Sequence, residues 1–425
     1  MKIKGLFDFV NSSPTAFHTV QSIKDRLLKE GYTELDAVSE TVLVNGGKYF
    51  TVSGGTSIIA FRYKAEASGF MICASHSDSP AFRLKMNAEL SGAYTRLSTE
   101  KYGGMIYYSW LDRPLSLAGR VVVNTESGVR SVLVDLSDPI LSIPSVAIHL
   151  RRNVNDGVAL SPLNDMIPLF STSKDARILK LIADKIGVSE SDILSHDLFV
   201  YNADKPLSFG SSGEFILAPR LDDLGCVYTS LEAFLSASES ESIPVLAVFD
   251  NEEVGSMTKQ GAMSTFLELA LERIAGEKLR AMLNNSFMVS ADNAHAMHPN
   301  HPELSDAKCA PILNGGVVIK YNASQKYATD GLSSAIFEKI CKNAGVPLQY
   351  YYNRADIPGG STLGSIANTK VSIQTVDIGL PELGMHSANE TAGREDIGYM
   401  TDALREFYSS SLTCNGDLFT IAKGK

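Results

Sequence analysis

Histidine and carboxylate side chains follow directly after apolar runs at several places in this sequence. The run GFMICAS is followed by HSD, IPVLAVF by DNEE, and SFMVSA by DN. A fourth run, KVSIQTV, precedes GMHSANE, and PRLDDLG opens an amphipathic stretch. Imidazole nitrogens and carboxylate oxygens are the ligands that a hard or borderline divalent cation takes. The sequence therefore predicts a divalent-metal site around seven side chains: His76, Asp78, Asp222, Glu252, Glu253, Asp292 and His386.

The spacing within two of these segments predicts separate roles. Residues two apart on an extended chain face the same way, so Asp78 is expected to accept a hydrogen bond from the ring nitrogen of His76 that does not bind metal. Adjacent residues cannot face the same way, so Glu252 and Glu253 are expected to diverge. One would bind metal while the other handles protons, as a metal-assisted hydrolase requires.

Each of these signals has a plainer explanation when it is taken alone. A histidine two residues before an aspartate occurs often by chance, and adjacent glutamates usually lie on a solvated surface. An aspartate such as Asp292 most often caps a turn or a helix. A metal site is favoured because all of these residues fall at the ends of predicted elements. Three further histidines, His295, His298 and His301, are expected to have hydrogen-bonded structural roles.

The elements that must position these side chains are strands and helices of an α/β sheet. The apolar runs are continuous rather than alternating, which indicates strands buried on both faces under covering helices. Open sheets of this class bind ligands at the carboxyl ends of their strands, where the polar residues stand. Helical spacing predicts a helix over 223–238 and another near the C-terminus. The strands are predicted over 69–75, 243–249, 286–291 and 370–376.

The length of the chain and a change in its pattern predict two domains. A chain of 425 residues is too long for one compact core of ordinary size. The segment 90–212 contains strand-like pieces such as GRVVVNT and VRSVLVDL, a proline-rich loop and one helix at DARILKLIADKIG. We therefore predict a mixed α/β domain formed by residues 1–89 and 213–425, with a β-rich domain inserted at residues 90–212.

Composition and charge exclude several classes of function. There are 38 basic and 48 acidic residues, a net charge of -10, and no Lys/Arg stripe suited to a nucleic acid backbone. No uninterrupted apolar stretch is long enough to span a membrane, and no secretory signal pattern opens the sequence. We expect a cytoplasmic protein with no nucleic acid or membrane partner. Its five widely spaced cysteines are expected to be reduced and mostly buried.

Long motifs occur in order along the chain: NSSPTAFHTV, GGTSIIAF, ASHSDSPAFRLK, YGGMIYYSWLDRPLSLAGRV, IPSVAIHLRRN, APRLDDLG, FDNEEVGS, SADNAHAMHPN, GGVVIKYNASQKYATD, PGGSTLG and MHSANE. On these motifs the sequence resembles the aspartyl aminopeptidase family, the M18 metallopeptidases, over nearly its whole length. The resemblance implies a catalytic domain of the zinc aminopeptidase type, interrupted by a β-rich dimerisation domain. It also implies a homododecamer with tetrahedral symmetry, built from dimers.

The resemblance further implies two divalent metal ions per subunit. One ion is expected on His76 and Asp292. The second is expected on Glu253 and His386, and Asp222 is expected to bridge both ions. Zinc is the expected metal, although nitrogen and oxygen ligands suit manganese and cobalt as well.

The remaining roles are also carried over from the family. Glu252 becomes the general base, and Asp78 becomes the partner of the metal-binding histidine. Lys320 is expected to meet an acidic side chain at the substrate's N-terminus, and Tyr327 to help hold the tetrahedral intermediate. His149 matches a histidine that the family supplies to a neighbouring subunit's active site. Without the resemblance, Lys320 would be interpreted as a snorkelling surface lysine.

The resulting hypothesis is a binuclear metalloaminopeptidase that removes N-terminal residues, Asp or Glu above all, from peptides with a free amino group. Two metal ions would lower the pKa of a shared water, and Glu252 would take its proton. Other enzymes remain open: an aminopeptidase of broad specificity, and a metal-dependent carboxypeptidase or amide deacylase. A different class also remains open, a non-catalytic carrier protein that forms a cage and uses metal structurally.

Overall fold

The computed structural model describes residues 2–36 and 41–424. In these residues the helices are α1 Lys2–Ser12, α2 Ala16–Lys29, α3 Ile178–Ile186, α4 Leu221–Ser236, α5 Phe266–Ala275, α6 Leu279–Asn284, α7 Gly331–Ala344, α8 Leu363–Ala367 and α9 Arg394–Tyr408. The strands are β1 Thr33–Glu34, β2 Lys48–Ser53, β3 Ser57–Arg62, β4 Phe70–His76, β5 Ala81–Leu90, β6 Thr95–Tyr102, β7 Leu115–Thr125, β8 Gly128–Asp135, β9 Leu169–Ser171, β10 Ile193–Asn202, β11 Leu207–Phe209, β12 Phe215–Ala218, β13 Ile243–Phe249, β14 Phe287–Ala291, β15 Ala294–His295, β16 Val317–Tyr321, β17 Leu348–Tyr352, β18 Gln374–Gly379, β19 Pro381–Leu383, β20 Glu390–Gly393, β21 Ser410–Asn415 and β22 Leu418–Lys423.

A large mixed sheet forms the centre of the molecule. Its strands are ordered β1-β2-β3-β13-β4-β14-β18-β16-β17. Every residue of β4, β13 and β14 is buried, which agrees with their continuous apolar sequence. The strand predictions at 69–75, 243–249 and 286–291 are confirmed by these elements.

Helices cover both faces of this sheet. Leu231 of α4 and Leu404 of α9 lie in the core on one face, whereas Leu271 of α5 and Leu363 of α8 lie in the core on the other. The predicted helix over 223–238 corresponds to α4, and the C-terminal one to α9. A sheet covered in this way leaves its strand ends as the place where polar side chains can collect.

One strand prediction is wrong in its first half. Residues 370–373 form a turn, and β18 begins only at Gln374. The side-chain oxygen of Asn368 accepts the backbone N–H of Ile373 at 3.0 Å, and the N–H of Val371 bonds to the carbonyl of Ala367 at 3.0 Å. Val371 and Ile373 are buried. Their apolar character therefore reflects packing of a turn that follows α8, and their backbone groups are already paired away from the sheet.

A second sheet is antiparallel and lies within residues 81–202. Its order is β8-β7-β10-β5-β6-β9, and it encloses a separate apolar core that contains Leu117, Val121 and Leu198. The predicted helix in DARILKLIADKIG is α3. The sheet begins at Ala81, before the boundary at residue 90 expected from sequence. The division into domains and the dimerisation role of this β-rich part stay predictions.

Two smaller features complete the fold. β11-β12-β20-β19-β15 form a third sheet, and β21-β22 form a terminal hairpin.

None of the five cysteines forms a disulfide within the described chain, and Cys73, Cys226 and Cys341 are buried. Over residues 2–36 and 41–424, no helix has both the length and the apolar character needed to cross a bilayer. The cytoplasmic location stays a prediction.

Candidate active site

The carboxyl ends of four neighbouring strands meet at one edge of the large sheet. β13, β4, β14 and β18 are adjacent in that order and mutually parallel. His76 is the last residue of β4 and lies opposite Phe249, the last residue of β13. Asp292 directly follows β14. The sheet thus brings candidate ligands from distant parts of the chain to a single edge.

Asp222 lies between two histidines at this edge. It is the second residue of α4, and its side chain is buried. Its Oδ1 atom is 3.3 Å from His76 Nε2, and its Oδ2 atom is 3.4 Å from His386 Nε2. His386 Nε2 is also 3.5 Å from Glu253 Oε1. Each oxygen of one carboxylate therefore faces a different imidazole, which is the arrangement that a carboxylate bridging two cations needs.

The donor atoms fit divalent metal ions. Among the described residues, Asp222 Oδ1 and Glu253 Oε1 are buried without a hydrogen-bond partner, and such atoms are costly unless something pairs with them. Candidate ligand atoms lie within 4.8 Å of one another in three groups: His76, Asp222 and Asp223; His76, Glu252 and Glu253; and Asp222, Glu253 and His386. The last group contains the residues expected at the second ion. Asp292, expected at the first ion, joins none of these groups within residues 2–36 and 41–424.

The two glutamates make different contacts, although one carboxylate oxygen of each lies within 4.8 Å of the other and of a ring nitrogen of His76. They belong to a short helical turn, Glu252–Val254, which is preceded by Asn251 in the left-handed region with φ of 62°. Glu252 lines a pocket at the sheet edge, whereas the side chain of Glu253 is 3% exposed and faces His386. Asparagine tolerates the left-handed conformation better than most residues. The turn therefore puts Glu252 at the wall of the pocket and Glu253 beside His386.

The carboxylate of Asp78 supports this turn. It accepts the Tyr102 hydroxyl at 2.6 Å and the backbone N–H groups of Glu252 and Glu253 at 3.1 and 3.2 Å. His76 Nδ1 is 3.0 Å from the backbone oxygen of Asp78 and 3.4 Å from its carboxylate. The ring thus has the carbonyl as its closer partner, not the carboxylate expected from spacing. The reason is that β4 ends at His76, so the chain beyond it no longer follows the extended alternation.

Burial and charge move the pKa values of these groups in different directions. Burial raises the pKa of Glu252 to about 8, with help from the charge of Asp292. Burial lowers the pKa of His386, but its close contact with Asp222 and the charge of Glu253 outweigh this and raise the pKa to about 10. Burial also acts to raise the pKa of Asp222, yet its close contacts with His386 and His76 leave it lowered. A metal ion that binds here must therefore displace protons from imidazole.

Lys320 and Tyr327 line the same pocket as Glu252, a space of about 180 Å3. Lys320 is 2% exposed, and its Nζ donates to the backbone oxygens of Asp292 at 2.7 Å and Asn293 at 3.1 Å. The same nitrogen is 3.5 Å from Asp292 Oδ1 and 5.1 Å from the centre of the Tyr327 ring. A fully buried ammonium group at the wall is unlike the surface lysine that its local sequence would suggest.

His149 is not brought to this site by its own chain. It lies in a turn after β8 and is exposed, and it is absent from the residues that line the pocket. Val146, Ile148 and Leu150 beside it are also exposed, by 40%, 49% and 84%. The loop therefore presents apolar side chains outward together with the histidine.

Sequence reasoning missed buried carboxylates behind the site. Asp223 Oδ2 accepts the backbone N–H of His76 at 3.1 Å. Glu390 accepts the backbone N–H groups of Asp222 at 3.0 Å and His386 at 2.7 Å. Both acids lie in motifs noted above, PRLDDLG and MHSANE, directly beside or near a predicted ligand. Their presence in those motifs was the only sign in the sequence that they lie at the site. Their hydrogen bonds to distant backbone groups depend on the fold.

The three histidines of NAHAMHPNH separate into two environments. His298 and His301 are exposed, with ring centres 5.2 Å apart, and His301 Nδ1 is 3.1 Å from Glu303 Oε1. His295 lines the pocket, and its ring centre is 5.9 Å from that of Tyr351. His295 is therefore a pocket residue that sequence reasoning had treated as structural.

Known proteins resemble this chain over nearly its whole length. The family described as aminopeptidase I zinc metalloprotease (M18) matches residues 9–408. A probable M18 family aminopeptidase 2 of Clostridium acetobutylicum is 43% identical, over 96% of this chain and 98% of that relative. Among solved structures, one chain in the cryo-EM structure of the Ape4 and Nbr1 complex superposes with a TM-score of 0.92 at 35% identity. The match covers 96% of this chain and 85% of that one. The mApe1 dodecamer of S. cerevisiae gives 0.83 at 27%, with 95% of each chain covered. The predicted α/β fold class is confirmed by these likenesses.

Proposed function

Because this chain belongs to the M18 family of zinc metalloproteases, which are aminopeptidases, we propose that it removes acidic N-terminal residues from peptides at a centre of two divalent metal ions. The observation that carries the proposal is the position of Asp222, whose two oxygens lie 3.3 and 3.4 Å from the Nε2 atoms of His76 and His386. A single buried carboxylate between two imidazoles suits two cations better than one.

The residues that would hold the ions are those expected from sequence. His76 and Asp292 would hold one ion, Glu253 and His386 the other, and Asp222 both. When bound, such ions polarise a carbonyl group and lower the pKa of a water molecule. Zinc fits the nitrogen and oxygen donor set and the family description, while manganese and cobalt take the same ligands.

Glu252 is proposed as the general base. It is the carboxylate that lines the pocket, and its pKa is raised by burial and by the charge of Asp292 to about 8. A carboxylate with a pKa near neutrality can take a proton from water and return it to a leaving amine. Cations bound beside it would lower this pKa and increase the ionised fraction at pH 7.

Lys320 is proposed to select acidic N-terminal residues. Two of its three ammonium hydrogens are bonded to backbone oxygens, and the carboxylate of Asp292 is 3.5 Å away, beyond normal hydrogen-bond length. One donor therefore remains for a substrate carboxylate. Such a charge-assisted bond in a partly desolvated pocket would favour Asp or Glu by about 10 to 100-fold. Tyr327, beside it, is proposed to help hold the tetrahedral intermediate.

The proposed assembly is a homododecamer of tetrahedral symmetry built from dimers, by analogy with the dodecameric relative. The exposed loop that contains His149 supports this idea, because apolar side chains such as Leu150 gain from burial against another copy. In that arrangement His149 would reach the active site of a neighbouring subunit. The mass of the assembly in solution tests the dodecamer. The activity of a His149→Ala variant tests the role of the histidine separately.

The experiment uses metal-loaded protein and four tripeptides that differ at one end or the other: Asp-Ala-Phe, Leu-Ala-Phe, N-acetyl-Asp-Ala-Phe and Asp-Ala-Phe-amide. An aminopeptidase cleaves all but the N-acetylated peptide. Cleavage of the N-acetylated peptide would instead favour the deacylase, and failure on the amide would favour the carboxypeptidase. No cleavage of any peptide would favour the carrier protein.

Two variants test the assigned residues. Glu252→Gln should lower kcat about 100 to 10,000-fold because the proton carrier is lost, with metal content unchanged. The exposed Glu277→Gln serves as its matched control. Lys320→Met should reduce the ratio of kcat/KM for Asp-Ala-Phe over Leu-Ala-Phe about 10 to 100-fold. An unchanged ratio would refute the role of Lys320, and a fully active Glu252→Gln enzyme would refute the mechanism.

A further inference from the structure

A second and larger cavity is lined by Asp78 but by none of the expected metal ligands. It encloses about 490 Å3, which is within the range of small-molecule sites. Its walls come from the segment between α1 and α2, from β5, β7 and β10 of the second sheet, and from the turn after β13. No described residue lines both this cavity and the pocket that contains Glu252. The two spaces therefore have different walls.

The acidic groups in its wall are already occupied by donors from the protein. Asp78 accepts the Tyr102 hydroxyl and two backbone N–H groups. Asp250 accepts the backbone N–H of Asn251 at 2.7 Å and the side chain of Gln260 at 3.3 Å. Glu390 accepts two backbone N–H groups. These carboxylates leave little acceptor capacity for a ligand that brings donors.

The polar groups of the cavity wall that remain available to a ligand are hydrogen-bond donors. Trp110 and Ser13 both line the cavity, are 4% and 1% exposed, and within the described residues have no partner for Trp110 Nε1 or Ser13 Oγ. Arg83 and Arg120 share one carboxylate, since Asp197 oxygens lie 2.6 Å from Arg83 Nη2 and 2.7 Å from Arg120 Nε. Two guanidinium groups against one carboxylate leave a net positive charge. Buried donors of this kind call for acceptors.

These donors lie at different depths in the cavity. The side chains of Arg83 and Arg120 are 42% and 32% exposed, so they stand at the mouth, whereas Trp110 is buried inside. Arg120 lies 4.7 Å from the centre of the Phe17 ring, and Phe199 also lines the wall. We propose that this cavity is a binding site for a small organic anion, with its carboxylate at the two arginines, an apolar body inside and a carbonyl oxygen facing Trp110.

The chain offers a direct probe of this site, because Trp110 is its only tryptophan. N-acetyl-L-phenylalanine carries the carboxylate, the apolar ring and the carbonyl, and its blocked amine makes it neither substrate nor product of an aminopeptidase. N-acetyl-L-phenylalaninamide is the same body without the charge. Both compounds are titrated into the metal-loaded enzyme while tryptophan fluorescence is excited selectively over tyrosine.

The acid should give a saturable change in Trp110 fluorescence, and the amide should bind about tenfold more weakly because it lacks the charge-assisted bonds. Equal affinities, or no change with either compound, would overturn the proposal. A change that L-aspartate, the product of the proposed reaction, displaces competitively would assign the probe to the metal site and would also overturn it.

Variants locate the binding within the cavity. Arg120→Gln leaves Arg83 and Asp197 as a neutral pair, so this variant should bind the acid and the amide equally well. Arg83→Gln provides the same test should the first variant unfold. Ala81→Leu fills the space, because Ala81 and Arg83 lie on one face of β5 and both line the cavity. It should remove the fluorescence change altogether. The exposed Arg130→Gln is the matched control, and an equal loss in that variant would contradict the site.

Discussion

The substitution Asp78→Asn tests how the protein positions the turn that carries its two adjacent glutamates. Three donors converge on the Asp78 carboxylate: the Tyr102 hydroxyl at 2.6 Å and the N–H groups of Glu252 and Glu253 at 3.1 and 3.2 Å. An asparagine of the same shape has one acceptor oxygen and one donor nitrogen. The Tyr102 hydroxyl can rotate to accept a hydrogen bond, but a backbone N–H cannot.

The size of the effect follows from the number of hydrogen-bond acceptors that the asparagine offers to these donors. Whichever way the amide turns, at least one of the two backbone N–H groups faces a donor and loses its partner. Leaving a buried donor unsatisfied costs about 1–3 kcal/mol, and the Glu252–Glu253 turn would shift to relieve it. If that free energy is lost from the transition state, kcat/KM falls about 10 to 100-fold. Zinc affinity should fall by about the same factor, because the shifted turn carries Glu253, an expected ligand, whose position the Asp78 carboxylate supports.

The assay compares Asp78→Asn with Tyr102→Phe. The phenylalanine variant removes one hydrogen bond to the same carboxylate and leaves both backbone bonds intact, so its kcat/KM should fall less than about tenfold. Zinc affinity is measured in parallel by competition with a chelator, and thermal unfolding confirms that both variants are folded. If Asp78→Asn were no worse than Tyr102→Phe, the reasoning that the carboxylate positions the turn would be wrong.

Three further results are expected. The pKa of His386 is lowered by burial but raised overall to about 10 by Asp222, so the apparent zinc affinity should rise about tenfold per pH unit from pH 6 to 8 as the proton is displaced, and a flat profile in chelator competition would contradict this. Gly69→Ala should destabilise the fold by about 2 kcal/mol or more in urea unfolding, because the new Cβ would lie 2.2 Å from a backbone oxygen, whereas Gly398→Ala, with open space inside α9, should stabilise it by up to about 1 kcal/mol. Thr362→Val should cost about 1–3 kcal/mol by removing the 2.6 Å hydrogen bond to buried Asp377, and Thr362→Ser should restore most of it; equal stability of the two variants would refute that bond's importance.

Local sequence predicted the sheet edge well because strand burial and strand ends are local properties. An uninterrupted apolar run such as 243–249 is a strand because both of its faces are covered, and the next polar residue must then lie at its end. The same rule failed at 370–373, where the apolar side chains of Val371 and Ile373 are buried while Asn368 holds the backbone in a turn. Burial alone does not distinguish these cases, since the hydrogen-bond partner of the backbone decides between them.

Contacts between distant segments were beyond such reasoning. Glu390 bonds to the backbone of Asp222 across 168 residues of sequence, and nothing near either residue indicates the other. Lys320 is a second example. Its place beside an apolar run suggests a snorkelling lysine, yet its ammonium is buried against the carbonyl oxygens of the two residues that follow β14. A charge buried so fully must be paired, and here the pairing fixes the lysine at the wall of the pocket. The physical cost of burying that charge is therefore the strongest reason to expect that Lys320 acts on substrate, since an aliphatic residue would fill the same space without it.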